Sequence, residues 1–193
     1  MFKTGKRKDS ITIPVDYGSI FQRERTTGPD RLRIGRAGSK PHPFDVLLPR
    51  LKGPFGILYL LHTPRGGAQP GRYQSPELGA AQAAGFLAKH ADFFALDARH
   101  DIWVHDFESS STLVWDRHDI VYAYGLIEDF GTALREAGFE EGEVNIPDPH
   151  SHHYHEAFDE AETEVIEALE WRREPLKPED QQQDLLKRTP SSN

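Results

Sequence analysis

The 193-residue sequence contains no cysteine, and this absence excludes disulfide bonds and catalysis by a thiol. It also lacks an apolar run of the roughly 20 residues that a membrane-spanning helix needs. The first residues, Met-Phe-Lys-Thr-Gly-Lys-Arg-Lys-Asp, are not followed by an apolar stretch, so we expect no secretory signal. These absences together favour a cytoplasmic protein with no membrane association.

Two catalytic motifs are missing as well. The chain has no Gly-x-Ser-x-Gly elbow, and its glycine-rich loop at 65–72 lacks the lysine and the spacing of a nucleotide-binding loop. The N–H groups of that loop could hold a phosphate or a carboxylate, although a flexible connection is the simpler interpretation. No residue can therefore be assigned a catalytic role from a motif.

The charge of the chain is unevenly distributed. Residues 1–53 hold 12 Lys and Arg against 5 Asp and Glu, a net charge of +7, whereas residues 54–193 hold 11 against 26, a net charge of −15. An acidic body repels nucleic acid and attracts basic proteins. We therefore expect a basic protein partner, although solubility is the simpler explanation of the acidic surface.

The strongest strand pattern lies at 101–125. Apolar and aromatic residues alternate there in three runs, 102–107, 112–115 and 120–124, and serines and aspartates separate the runs. This pattern predicts a three-stranded antiparallel meander. Trp103, Trp115, Tyr122 and Tyr124 belong to it and are either core residues or part of a binding face.

The remaining chain predicts an α+β fold, with a largely antiparallel sheet and about three helices packed on one face. The segments with helical apolar spacing are about 75–90, 127–137 and 158–173. We expect a basic, strand-containing N-terminal segment or appendage at 1–53, an α+β core domain at 54–173, and a disordered or loosely attached tail at 174–193.

Four of the ten histidines lie between residues 150 and 155. His150 and His152 point the same way in an extended chain, and residues four apart meet on one face of a helix. Imidazole and carboxylate ligands suit zinc, iron or nickel, so the candidate metal ligands are His150, His152, His155 and Glu156. The alternative is a hydrogen-bonded loop that leads into the last helix.

A second group combines histidine and aspartate at 100–101, 105–106 and 116–119, with His62 upstream. A histidine beside an aspartate can act as a general base, but turn-forming aspartates with partly buried histidines give the same pattern. The candidate contacts for a basic partner are acids of this turn and of the last helix, namely Asp116, Asp119, Glu160, Glu164 and Glu167.

Several short segments carry a resemblance. They are Gly-Arg-Tyr-Gln-Ser-Pro at 71–76, Arg-His-Asp-Ile-Trp-Val at 99–104, Val-Trp-Asp-Arg-His-Asp at 114–119, Tyr-Ala-Tyr-Gly at 122–125 and Pro-His-Ser-His-His-Tyr-His at 149–155. With them, this acidic chain without cysteine resembles small bacterial proteins of the general type of toxin-system immunity proteins. The resemblance implies protein binding and carries over no individual functional residue.

Three hypotheses of function follow. The first is a cytoplasmic acidic binding protein, of the immunity type, that blocks a basic protein partner and is guided to it by charge. The second is a metal-dependent hydrolytic enzyme that holds a divalent metal such as zinc on the histidines, with Glu156 or Asp159 as the base. The third is a structural role in which the basic segment 1–53 acts as a tether.

Overall fold

The computed structural model describes residues 1–38 and 41–181. The twelve strands within these ranges are β1 (Thr4–Lys8), β2 (Ile11–Pro14), β3 (Ile20–Glu24), β4 (Arg31–Ile34), β5 (Phe55–Leu61), β6 (Gly71–Gln74), β7 (His100–Asp106), β8 (Ser111–Trp115), β9 (Val121–Tyr124), β10 (Glu140–Glu141), β11 (His150–His152) and β12 (Arg172–Glu174). The α-helices are α1 (Pro43–Leu47), α2 (Ala80–Lys89), α3 (Ala91–Leu96), α4 (Ile127–Glu136), α5 (Asp159–Glu167) and α6 (Pro178–Gln181). Short 3-10 turns occur at Leu48–Arg50 and Glu156–Phe158.

Two sheets organise the chain. The large sheet has nine strands in the order β10-β3-β4-β9-β8-β7-β5-β6-β12, and the small sheet has three in the order β11-β1-β2. Every strand pair is antiparallel except β10 with β3. The predicted α+β class with a largely antiparallel sheet is therefore confirmed.

The meander predicted at 101–125 forms the centre of the large sheet. Val104 lies opposite Leu113, and Leu113 lies opposite Ala123, so one row of apolar side chains crosses β7, β8 and β9. All three residues are fully buried. Because neighbouring side chains on one face of a sheet lie close together, this row stabilises the register of the meander.

The main hydrophobic core lies on one face of the large sheet, and α1 to α5 all contribute to it. Each of these five helices places at least one buried side chain in the core, for example Phe44, Phe86, Phe94, Phe130 and Val165 in the order of the helices. The prediction of helices on one face is thus confirmed. The opposite face carries a smaller core, whose buried members are Tyr17, Val114, Ile120, Tyr122 and Val144.

The second helix begins later than the sequence predicts. Ser75 has the residue type of an N-cap, yet its hydroxyl accepts a hydrogen bond from Ile57 N at 2.9 Å, and its own N–H donates to Ile57 O at 2.8 Å. The chain after β6 therefore remains alongside β5. Helix α2 starts only at Ala80, with Gly79 as N-cap.

The first fifty residues contribute to both sheets. Strands β3 and β4 pair with each other, and β4 extends the meander through β9.

At the other end of the described chain, Asp180 of α6 forms an ion pair with Arg72 of β6. The rest of the expected tail, residues 182–193, lies outside the described residues. None of the described helices is long and apolar enough to cross a membrane.

Candidate metal centre

The short strand β11 presents two histidines to one side. Because side chains alternate along a strand, His150 and His152 share a face, and Ser151 points the other way. Strand β1 holds β11 in place, with Lys6 opposite His150 and Thr4 opposite His152. Pairing with β1 thus fixes the face of β11 from which both imidazoles project.

The turn between β8 and β9 supplies a third histidine. Asp116 Oδ1 accepts hydrogen bonds from His118 N at 2.9 Å and Ile120 N at 3.0 Å, which is how aspartate closes a turn on its own backbone. Tyr17 donates its hydroxyl to His118 O at 2.7 Å. These bonds hold His118 in a fully buried position.

The three histidines converge. One ligand nitrogen from each of His118, His150 and His152 can be chosen so that all three lie within 4.8 Å of one another. The ring centroids are 5.2 Å apart for His118 and His150, 4.8 Å for His118 and His152, and 5.2 Å for His150 and His152. His118 is buried and the other two are half-buried, so the cluster lies at the edge of the core.

Hydrogen bonds select the tautomer of two of these rings. His118 Nδ1 donates to Asp116 Oδ2 at 3.0 Å, and His150 Nδ1 donates to Pro147 O at 2.9 Å. A carboxylate and a carbonyl oxygen only accept, so each Nδ1 carries the proton in the neutral ring, and Nε2 carries the lone pair. Histidines that bind metals are oriented in this way by a partner on the second nitrogen.

The carboxyl group behind His118 is charged. Burial acts to raise the pKa of Asp116, but His118, the Ile120 N–H and the Lys3 ammonium together hold that pKa below its usual value. Asp116 itself is fully buried. An ionised carboxylate at this position favours a cation on the far side of the His118 ring.

Two of the four predicted metal ligands lie elsewhere. His155 Nε2 is 3.1 Å from Phe2 O, and the His155 N–H donates to Asp97 Oδ2 at 2.7 Å. Glu156 is exposed at the start of a 3-10 turn. Asp159, the alternative base, pairs with Arg65 at 3.1 Å and Arg99 at 3.0 Å. The structure therefore brings together His150 and His152 from that set.

The five acids expected to meet a partner fall into two groups. Glu160, Glu164 and Glu167 are exposed on α5, and Glu164 pairs with Lys89 at 3.0 Å. Asp116 is closed inside the turn. Asp119 accepts from Trp115 Nε1 at 2.9 Å and lies 3.4 Å from His42 Nε2. The two turn acids therefore make contacts within the protein, whereas the three helix acids are exposed to solvent.

The glycine-rich loop binds a carboxylate of the chain itself. Glu162 of α5 accepts from Arg65 N and Gly66 N, each at 2.9 Å. The same carboxylate is 2.7 Å from Arg99 Nη1, and both side chains are fully buried. The N–H groups of the loop are therefore used to anchor α5.

Sequence reasoning did not place His118 and Asp116 beside His150 and His152. The Asp-Arg-His-Asp segment is visible as a histidine-aspartate group, but its spacing has no relation to that of residues 150–152. A contact across more than thirty residues of chain depends on the pairing of β1 with β11, for which the sequence has no local signal.

Searches against models of protein families, curated proteins and solved structures find no match for this chain.

Proposed function

We propose that this protein is a metal-dependent enzyme of hydrolytic type, with His118, His150 and His152 as the ligands of one divalent transition metal. The single observation that carries the proposal is the convergence of three imidazole nitrogens within 4.8 Å. The contacts of Nδ1 with Asp116 and Pro147 favour the tautomer of His118 and His150 in which the Nε2 lone pair is available to a metal.

Zinc is the metal that fits these ligands best. Nitrogen ligands lie about 2.0–2.1 Å from zinc, so in tetrahedral geometry they are roughly 3.3 Å apart. Nitrogens within 4.8 Å reach this spacing through small side-chain rotations, since His150 and His152 are only half-buried. Three protein ligands leave the fourth position open, as in catalytic rather than structural zinc sites.

A metal on three imidazoles supplies a Lewis acid that activates water for hydrolysis. The chain contributes the ligands, the Asp116 carboxylate behind His118, and the backbone that holds them. Among the described residues, no carboxylate joins the three histidines to form a metal-binding group. The proposal therefore assigns no side chain as the general base. It also assigns the enzyme to the cytoplasm.

Zinc titration of the metal-stripped full chain tests the site. We expect one zinc ion per chain, with affinity reduced at least about tenfold in each of His118→Ala, His150→Ala and His152→Ala. His155→Ala is the matched control, because His155 belongs to the same segment and contacts Phe2 instead. It should bind zinc as the unaltered chain does.

The outcomes separate the two ligand sets. If His155→Ala loses zinc and His118→Ala retains it, the ligand set proposed here is wrong. If the unaltered chain takes up no zinc, iron or nickel, the metal-dependent function is wrong. If zinc binds but hydrolysis of ester, amide and phosphoester panels is absent, the metal site stands and the catalytic part of the proposal is withdrawn.

A second candidate function is binding of a basic protein partner, of the kind that immunity proteins block. It is supported by the outward position of Glu160, Glu164 and Glu167 on α5, within an acidic body. Charge steering would make association faster at low salt. A pull-down from a bacterial lysate, followed by association rates at increasing salt for the triple Glu→Gln variant, tests this. A rate independent of salt and of the variant contradicts it.

A further inference from the structure

A small cavity is lined in part by Thr4, the residue of β1 that lies opposite His152. It has a volume of about 220 Å³. Its polar lining includes Lys3, Thr4, Arg36 and Asp119, and its apolar lining includes Val15 and Leu96. It forms where the N-terminal strand, the end of α3 and the β8–β9 turn meet.

Lys3 is the unusual residue of this cavity. Its side chain is almost fully buried (2 % exposed), and its ammonium donates one hydrogen bond, to Phe94 O at 3.0 Å. The ammonium also lies 4.8 Å from the centroid of the Trp115 ring. An ammonium has three donors, and in the described part of the chain no carboxylate lies within ion-pair distance of it.

A buried ammonium without a counter-ion is costly in free energy, because an apolar surrounding disfavours charge. Burial accordingly lowers the pKa of Lys3, and the more distant acids Asp119, Asp116 and Asp101 only partly oppose this. An anion placed beside the ammonium would supply the missing partner.

Arg36 adds a second cation with unused hydrogen-bonding capacity. Its Nε is buried and makes no hydrogen bond to any residue that the structure describes. It lies 3.7 Å from Asp119 Oδ2, which is too far for a hydrogen bond. The charged side chains that line the cavity are thus two cations and one carboxylate, so a ligand with one negative charge would balance them.

We propose that this cavity binds a small monocarboxylate with a short aliphatic chain. The carboxylate would accept from Lys3 Nζ and the Arg36 guanidinium, and the alkyl group would contact Val15 and Leu96. The volume of about 220 Å³ is below the roughly 300–1,000 Å³ of pockets for drug-sized ligands, which restricts the ligand to a few carbon atoms. This binding site is independent of the metal proposal.

Calorimetric titration of the untagged full chain with butanoate, at constant ionic strength, tests the proposal. We expect saturable binding that weakens at least about tenfold in Lys3→Met and in Arg36→Gln, since each loses a charged hydrogen bond. Lys8→Met is the matched control, because Lys8 is an exposed lysine at the far end of β1, the strand that begins directly after Lys3. Butanamide, which has the same shape without the charge, should bind at least about tenfold more weakly than butanoate.

Several results would overturn the assignment. They are no saturable butanoate binding by the unaltered chain, an equal loss in Lys8→Met, or equal affinity for butanamide. Inorganic phosphate binding as tightly as butanoate would contradict the preference for a monoanion with an alkyl group. If Lys3→Met does not fold, Arg36→Gln tests the site instead, because Arg36 is only half-buried. Unchanged butanoate affinity in that variant rejects the site.

Discussion

His118 Nδ1 lies 3.0 Å from Asp116 Oδ2, and both side chains are buried in the turn between β8 and β9. The other oxygen of the same carboxylate accepts from two backbone N–H groups. One residue therefore closes the turn and also orients the histidine. The fold and the candidate metal centre share this carboxylate.

Asp116→Asn should weaken zinc binding by roughly 10- to 100-fold. The amide oxygen can still accept from the backbone, but an NH₂ group in place of Oδ2 donates to His118 Nδ1 and moves the ring proton to Nε2. In that tautomer Nε2 has no lone pair with which to bind the metal. Competition with a chelator of known zinc affinity measures the change. Asp92→Asn, at an exposed aspartate of α3, is the control and should bind zinc normally.

Gly5→Ala should weaken zinc binding without touching a ligand. A Cβ at Gly5 would lie 2.6 Å from Thr12 Cγ2 and 2.8 Å from His153 Nε2, so either these side chains or β1 itself must shift. We expect a loss of roughly 1–3 kcal/mol in the free energy of unfolding, from overpacking, together with a lower zinc affinity. Zinc titration and urea unfolding of the same samples measure both effects.

The control for this variant is Gly85→Ala. Gly85 belongs to α2, and apart from the helix's own backbone and the two adjacent residues, no atom of the described residues lies within 4 Å of the place that an alanine Cβ would occupy. This change should stabilise the protein by about 0.5–1 kcal/mol, because alanine is the better helix former, and should leave zinc binding unaltered. Unaltered zinc affinity in Gly5→Ala would contradict the expected loss.

Arg99→Met should be the most destabilising of these changes. The Arg99 guanidinium lies 2.8 Å from Asp97, 2.7 Å from Glu162 and 3.0 Å from Asp159, and Arg99, Asp97 and Glu162 are fully buried. Removing the cation leaves two buried carboxylates without a counter-charge. We expect a loss of about 3–5 kcal/mol in the free energy of unfolding, measured in urea.

The exposed Arg25, in the turn after β3, provides the comparison for Arg99. Arg25→Met should change the free energy of unfolding by about 0.5 kcal/mol or less, as is usual for surface positions. A similar small effect in Arg99→Met would show that the buried ion pairs contribute little to stability.

The parts of the fold that depend on local periodicity can be predicted from the sequence. The meander is predictable because Val104, Leu113 and Ala123 occupy alternating apolar positions, and both flanking turns carry serine or aspartate. The start of α2 is not predictable in this way. Ser75 and Pro76 suit a helix N-terminus, but in the folded protein the Ser75 hydroxyl accepts a hydrogen bond from Ile57 N instead.

The candidate metal centre can be predicted only in part. His150 and His152 share a face through strand alternation, which is a local property. His118 joins them through the pairing of β1 with β11 and the contact of Thr4 Oγ1 with Arg117 O at 2.9 Å, and both are long-range contacts. The acids of α5 show the same limit, because Glu162 has the sequence pattern of a surface residue yet binds Arg99 in the core.

The stability of the protein should fall in acid because of His100. Burial, followed by the nearby charges of Lys3 and Arg99, lowers the pKa of His100 well below its ordinary value of 6.5. Neither ring nitrogen has a hydrogen-bond partner among the described residues, and Phe93 lies 4.5 Å away between ring centroids. The folded protein therefore holds this imidazole neutral.

The direction of the pH effect follows from proton binding. Below about pH 6.5 the unfolded chain protonates this histidine and the folded chain does not, so the stabilisation is complete above that pH and is lost as the pH falls. One proton corresponds to about 1.4 kcal/mol per pH unit. His100→Phe, which keeps a planar ring among Tyr59, Phe93 and Phe94, should reduce the acid slope by up to that amount. Urea unfolding at a series of pH values between about 4 and 8 measures the two slopes, and equal slopes would mean that His100 is protonated in the folded state or is not buried.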